Sequence, residues 1–250
     1  MKKIGLVGGV GWRATVEYYA GLCRRAEELR EASGRATPPM PEMVIESLNH
    51  ERAISLLGRD EDEESWSQFD ACHRDALLRL EACGAEVAAI ASNSPHHRFE
   101  PIVRGVRIPV ISIFHAAAGE CARIGARHAL ILGTPLIMKS ARIRECFAQH
   151  GIEAAGPGDE ALRAQTAELI ADLEQGRIEG AADHLGNMAW TAWEELFRGL
   201  PVVCLACTEL PLAFPEHASR ASFEHCGARY INSNAAHIDA IFDAAKDPVN

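Results

Sequence analysis

The sequence predicts an α/β fold made of two similar halves, and three observations predict it. Short apolar, β-rich runs alternate with helix-spaced stretches along the whole chain, the pattern of parallel strands joined by helical crossovers. The strand candidates are apolar at consecutive rather than alternate positions, as strands covered on both faces are. A segment of the first half also returns in the second. Residues 87–95 lie over 202–210, an offset of 207 − 92 = 115, and residues 4–9 lie over 129–134, an offset of 129 − 4 = 125. In the first pair an apolar strand ends in a small nucleophilic residue followed by polar groups.

The elements follow in order. Ile4 to Val7 is a short apolar run stopped by Gly8-Gly9, which predicts a strand over 3–7. Helical spacing then runs over 15–32, and the three prolines of 34–41 make a loop before a strand over 43–47. The acidic stretch 60–64 reads as a solvated cap for a helix over 64–82. Strands follow over 87–91, 109–113 and 129–132, and helices over 138–150, 159–175 and 178–197. Strands over 202–206 and 229–232 and a closing helix over 235–245 complete the pattern. The expected domains are 1–113 with 229–250, and 114–228.

Composition narrows the function classes. With 48% hydrophobic residues in 250, the chain can bury a substantial core. No apolar run approaches the roughly 18 residues of a membrane span, and the apolar start after Lys2-Lys3 is too short for a signal peptide. The formal charge is −10, with no Lys/Arg cluster interleaved with aromatics, so neither nucleic acid nor an acidic membrane surface is an expected partner. A small molecule fits better. Eight scattered cysteines in a chain of this size read as reduced thiols in a cytoplasmic setting.

In open parallel sheets, ligands sit beyond the carboxyl ends of the strands. There the sequence places Gly8-Gly9, Ser92, Gly133-Thr134 and Cys207. Inverting an amino acid at Cα needs a base on one face and an acid on the other, and two like halves each presenting one strand-end group supply that geometry. A cysteine thiolate serves as the base if backbone amides at helix starts lower its pKa from about 8.5. The same amides suit a substrate carboxylate. The plain alternative is that Cys207 is a buried apolar residue closing a strand.

The opening Ile4 to Trp12, with Ala14-Thr15 and Glu17-Tyr18-Tyr19, resembles the N-terminal signature of the aspartate/glutamate racemase family. Asn93-Ser94-x-His96 resembles that family's first catalytic motif and Cys207-Thr208-Glu209 its second. The resemblance covers most of the chain. It implies two pseudo-symmetric α/β domains with the active site in the cleft between them, and commonly a homodimer. It also implies an amino-acid substrate and no pyridoxal phosphate, other cofactor or metal. Cys207 and Ser92 become the catalytic pair. Arg52, Asn93, Ser94, Thr134, Thr208 and Thr15 become substrate-binding candidates, with His96, Gly8 and Gly9 in support.

The chain departs from the family pattern at named positions. Ser92 stands where the family carries its first cysteine, and a hydroxyl is the weaker acid and base. Arg52 matches an arginine that binds a substrate carboxylate in some aspartate racemases. Glu174 stands where those enzymes have an assisting lysine, which Lys139 could replace, and Asn232 stands for an aspartate near the final strand. Two alternatives remain open: a one-cysteine decarboxylase of the same superfamily, or an amino-acid-binding protein that has lost turnover. Residues 9–14 fit the G-x-G-x-x-A dinucleotide pattern, but Glu46 lies well beyond the roughly 20-residue spacing of a ribose-binding acid. Cys204-x-x-Cys207 is half a redox or zinc motif whose cysteines strand alternation points apart. His96-His97-Arg98 could serve a metal or phosphate. Trp190 and Trp193 read as helix packing or a dimer surface.

Overall fold

Five buried residues in a row make Ile4–Gly8 (β1) a strand with no solvent face, and it takes an interior place in a four-stranded sheet. After β1 come α1 (Trp12–Ser33), β2 (Met43–Ser47), α2 (His50–Ser55), α3 (Ser67–Ala82), β3 (Val87–Ile90), α4 (Phe99–Val103) and β4 (Val110–Ile111). The order is β2-β1-β3-β4, all parallel, with Ile4 opposite Met43 on one side and Val87 on the other. Helix α1 ends where Gly34 turns left-handed at φ 66° and donates to the carbonyls of Arg30 and Glu31. The computed structural model describes residues 1–59 and 62–246, so part of the acidic stretch 60–64, Asp60 and Glu61, lies outside them. Glu63 opens a 3-10 turn, Glu63–Trp66, ahead of α3.

The second unit holds α5 (Ile113–Arg123), β5 (His128–Gly133), α6 (Pro135–Lys139), α7 (Ala141–Gln149), β6 (Glu153–Ala155), α8 (Glu160–Glu174), α9 (Ala181–Leu196), β7 (Val202–Ala206), β8 (Ser222–His225) and β9 (Ala228–Asn232). Its sheet order is β6-β5-β7-β9-β8. The first four strands are parallel and repeat the β2-β1-β3-β4 order of the first sheet, with β8 added antiparallel at the edge. Two parallel-sheet units of one topology are thus present.

Where the structure differs from expectation, the reasons are physical. Residues 109–113 form only the two-residue β4, because Ile113 instead opens α5, whose Ile113, Phe114, Ala117, Ala118 and Cys121 are buried at helical spacing. The helix expected over 138–150 is two helices, since Ser140 is extended at φ −62°, ψ 121°. Strands β6 and β8 were not anticipated. The chain divides into Met1–Ser112 with residues from His237 on, and Ile113–Ala236. Residues 229–232 therefore belong to the second unit rather than the first. They lie in β9, which pairs with both β7 and β8, and the chain passes to the first unit within α10 (Ser233–Ala245).

Each unit buries its own apolar core. In the first, Ile4 and Leu6 pack with Tyr18, Leu22, Val87, Ala89, Ile238 and Phe242. In the second, strand alternation splits the core between the two sheet faces: Leu130, Leu132 and Leu205 on one, Ile131, Cys204 and Ile231 on the other. Burial of this kind contributes roughly 25 cal/mol per Å². No helix among the described residues is long and apolar enough to cross a membrane.

Candidate active site

In the first unit, the carboxyl ends of β1, β2 and β3 hand over to turns that the sequence shapes closely. Gly9 follows β1 with φ +84°, and a Cβ there would meet the Leu48 carbonyl oxygen at 2.1 Å, so only glycine fits. Thr15 does not present a spare hydroxyl. Its Oγ1 accepts from the Gly9 N–H at 2.9 Å and donates to the Gly11 carbonyl at 3.2 Å, closing the turn between β1 and α1. The His50 Nδ1–H donates to the Val10 carbonyl and so ties the start of α2 to this turn. Asn49 caps α2 through the Arg52 backbone N–H at 2.8 Å. The Arg52 side chain is exposed.

Beyond β3, Ser92 is 7% exposed and Asn93 4%, and the 3-10 turn Ser94–Arg98 begins directly afterwards. His96 does not serve the Ser92 hydroxyl. Its Nδ1–H donates to the Ser92 backbone carbonyl at 2.8 Å, while its ring stacks on Phe99 and meets His237 edge-on. His96 thus fixes the peptide that carries Ser92, and no side chain of the first unit hydrogen-bonds Ser92 Oγ among the described residues. Arg98 is not a phosphate anchor. It pairs with Asp70 Oδ2 at 2.9 Å and Glu63 Oε2 at 2.7 Å, and His97 packs on Trp66.

In the second unit, Cys207 follows β7 directly and is 5% exposed. Its Sγ–H donates to Glu209 Oε2 at 3.1 Å, and Thr208 Oγ1 donates to the same oxygen at 2.7 Å. The loop is anchored to the start of α10. Asn234 Nδ2 donates to the Thr208 carbonyl at 3.2 Å, and Ser233 Oγ donates to the Leu205 carbonyl at 2.7 Å. Asn232 Oδ1 accepts from the Asn234 and Ala235 N–H groups, which makes it an N-terminal cap for α10. The parallel turn after β5 starts at Gly133, where a Cβ would lie 2.6 Å from the Ala206 carbonyl oxygen. Thr134 there caps α6 through the Ile137 N–H at 3.4 Å. Lys139 is exposed at the end of α6.

The electrostatics reverse one expectation. Rather than being lowered by helix-start amides, the Cys207 thiol is pushed well above its usual range, first by burial and then by the negative charge of Glu209, with the exposed Glu174 adding to it. One backbone N–H from Glu209 acts in the opposite direction and is outweighed. Cys207 therefore rests as a protonated thiol whose proton already points at a carboxylate. Glu209 is the residue that sequence reasoning left out of the site, although its place two residues after Cys207 was the available signal. Cys204, in contrast, packs on the other sheet face from Cys207, which separates the half-motif. Trp193 packs inside the second unit with Phe197, and Trp190 Nε1–H donates to the Cys226 carbonyl at 3.4 Å.

Both units therefore end an interior strand in a buried nucleophilic residue followed by a 3-10 turn with proline in its first positions, Pro95 in one and Pro211 in the other. Residues 7–241 match the model of the Asp/Glu/Hydantoin racemase family. The chain belongs to that family. A broad specificity amino-acid racemase of Bacillus subtilis (strain 168) is 24% identical over 211 residues, 83% of this chain and 85% of the relative. The crystal structure of an aspartate racemase homologue from Pyrococcus horikoshii OT3 superposes with a TM-score of 0.76 at 27% identity, covering 99% of this chain and 100% of that one. The Picrophilus torridus aspartate racemase shares the fold at a TM-score of 0.69 and 18% identity, over 97% and 94% of the two chains.

Proposed function

We propose that the chain is a cofactor-independent racemase of a small acidic or polar amino acid, with Cys207 and Ser92 exchanging protons with opposite faces of Cα. The observation that carries the reading is the buried Cys207 Sγ–H to Glu209 Oε2 hydrogen bond at a strand end, in a chain of the racemase family. In one direction Ser92, ionised by loss of its hydroxyl proton to water, takes the proton from Cα and the Cys207 thiol delivers its own to the opposite face. In the other, Glu209 takes the thiol proton, the thiolate abstracts the proton from Cα and the Ser92 hydroxyl delivers its proton to the opposite face. Ser92 is the weaker partner, because a hydroxyl without a hydrogen-bonded base ionises poorly. Asn93, Ser94, Thr134 and Thr208, lying at strand-end turns, bind the substrate's carboxylate and amine, and Arg52 binds a second carboxylate where the substrate has one. Gly8, Gly9 and Thr15 hold the turn between β1 and α1 in shape. The proposal includes a homodimer in a cytoplasmic setting, supported by the family resemblance and by eight free cysteines.

A protonated Cys207 and a weakly acidic Ser92 hydroxyl also favour a second reading. A one-cysteine decarboxylase needs only an acid to protonate the carbanion left by loss of carbon dioxide. The two are separated by incubating the protein in deuterated water with a panel of L- and D-amino acids, aspartate and glutamate included, and following NMR and chiral composition. Deuterium at Cα with both enantiomers formed supports racemisation, and a Ser92→Cys variant is expected to be faster. Exchange with retention assigns the chemistry to Cys207 alone. No exchange in either protein overturns the racemase reading in favour of the decarboxylase or a binding protein.

A further inference from the structure

The second unit gathers a set of metal-type donors that the chemistry at Cys207 does not use. One ligand atom each from Glu216, His217 and His225 lies within 4.8 Å of the other two. His217 closes the 3-10 turn Pro215–His217, and His225 ends the edge strand β8. Two of the imidazole nitrogens, His217 Nδ1 and His225 Nε2, are buried and have no hydrogen-bond partner among the described residues. Glu216 Oε1 lies 3.7 Å from His217 Nε2. The rings are held in place by packing. His217 stacks on Phe223 with centroids 4.5 Å apart, and His225 meets Phe214 edge-on at 5.1 Å. One ligand atom each from His225, Asp183 and Cys226 likewise lies within 4.8 Å of the other two. Cys226 is held at φ 46°, a left-handed conformation rare outside glycine and found where a structure imposes it.

We propose that Glu216, His217 and His225 form a site for one divalent transition-metal ion of the zinc class. Two imidazoles and a carboxylate suit zinc and its borderline neighbours, whereas magnesium and calcium take oxygen donors. With bonds of about 2.1 Å, tetrahedral donors stand roughly 3.4 Å apart. Donors already within 4.8 Å therefore close on the ion by side-chain rotation of about 1.4 Å.

At its His225 end the proposed site stands away from Cys207. His225 pairs with Ala228 at the start of β9, and the next residue, Arg229, donates to the Pro201 carbonyl just before β7. Cys207 follows the far end of β7, roughly 20 Å along the strand at about 3.3 Å per residue. The ion therefore pins the edge hairpin of β8 and β9 to the turn at His217 and stabilises this unit.

The test uses the full chain stripped with EDTA and titrated with Zn²⁺ by calorimetry and with Co²⁺ by visible absorption. The Cys207→Ser variant is run alongside, so that binding at the site thiol is recognised. One equivalent of Zn²⁺ is expected in both proteins, with Co²⁺ d–d bands, and saturation raises Tm by about 5–10 °C when zinc is present at roughly 100 times its Kd. The double variant His217→Gln/His225→Gln is expected to lose binding at least 30-fold. Glu216→Gln, which changes an exposed carboxylate, is expected to lose about 10-fold and keeps the test decisive if the double variant fails to fold. Absence of stoichiometric binding in the wild type overturns the site. So does binding that survives both sets of substitutions, or that disappears in Cys207→Ser. None of these readouts depends on the substrate or on racemisation.

Discussion

Acidification tests the buried ring pair of the first unit. His237 Nε2–H donates to the Ile111 carbonyl at 2.9 Å, which leaves Nδ1 to accept the Tyr18 hydroxyl at 2.8 Å. The ring is neutral and buried, and its pKa is pushed from 6.5 down to about 3, first by burial and then by the neighbouring His96. The unfolded chain therefore binds a proton that the folded one refuses. Stability from this group is intact above about pH 6.5 and is lost as pH falls from there toward 3, at up to about 1.4 kcal/mol per unit. Between pH 7 and pH 5 the loss is about 2 kcal/mol, a factor of roughly 30 in the opening equilibrium. Hydrogen exchange of the β1 and β3 amides, corrected for intrinsic rates, reads it in this unit. His237→Gln does not titrate and should show a pH 7 to pH 5 loss smaller by that amount. His73, also lowered by burial, contributes equally to both proteins and cancels. Losses that agree within about 0.5 kcal/mol between the two proteins would refute the argument.

Glu209→Gln removes the acceptor of the Cys207 proton and should cut Cα deuterium incorporation by about 10²–10⁴-fold. Because it also removes the charge that helps push the thiol up, alkylation of Cys207 by iodoacetamide at pH 8 should become faster than in the wild type. Arg98→Met leaves Asp70, whose side chain is 7% exposed, as a buried carboxylate without its partner. Urea unfolding should show a loss of about 3–5 kcal/mol, with Arg98→Met/Asp70→Asn recovering part of it. Thr15→Val removes the acceptor for the Gly9 N–H and should cost about 1 kcal/mol, seen as a Tm lower by roughly 2–4 °C.

The sequence by itself determined where the strands β2 and β7 lie, because the Met43-Val44-Ile45 run after the prolines of 34–41 and the unbroken apolar run of 202–206 leave little else for residues 43–47 and 202–206 to do. It also determined that Cys207 closes a strand and that its motif repeats one at Ser92. Helix α5 was hidden because only Ser112 separates Val110 and Ile111 from the apolar Ile113 and Phe114, so periodicity alone could not separate strand from helix. Only the tertiary structure decided that β9 completes the second sheet, since strand pairing is a long-range choice that neither β7 nor β9 encodes locally. It alone decided the sign of the Cys207 shift. Proximity to helix starts argued for a lowered pKa, but burial among Leu210, Phe214 and their neighbours withdraws water from the thiolate, and the Glu209 carboxylate turned toward Sγ adds to the cost. Desolvation and side-chain direction depend on what the rest of the chain packs around a group, and that is absent from any local stretch of sequence.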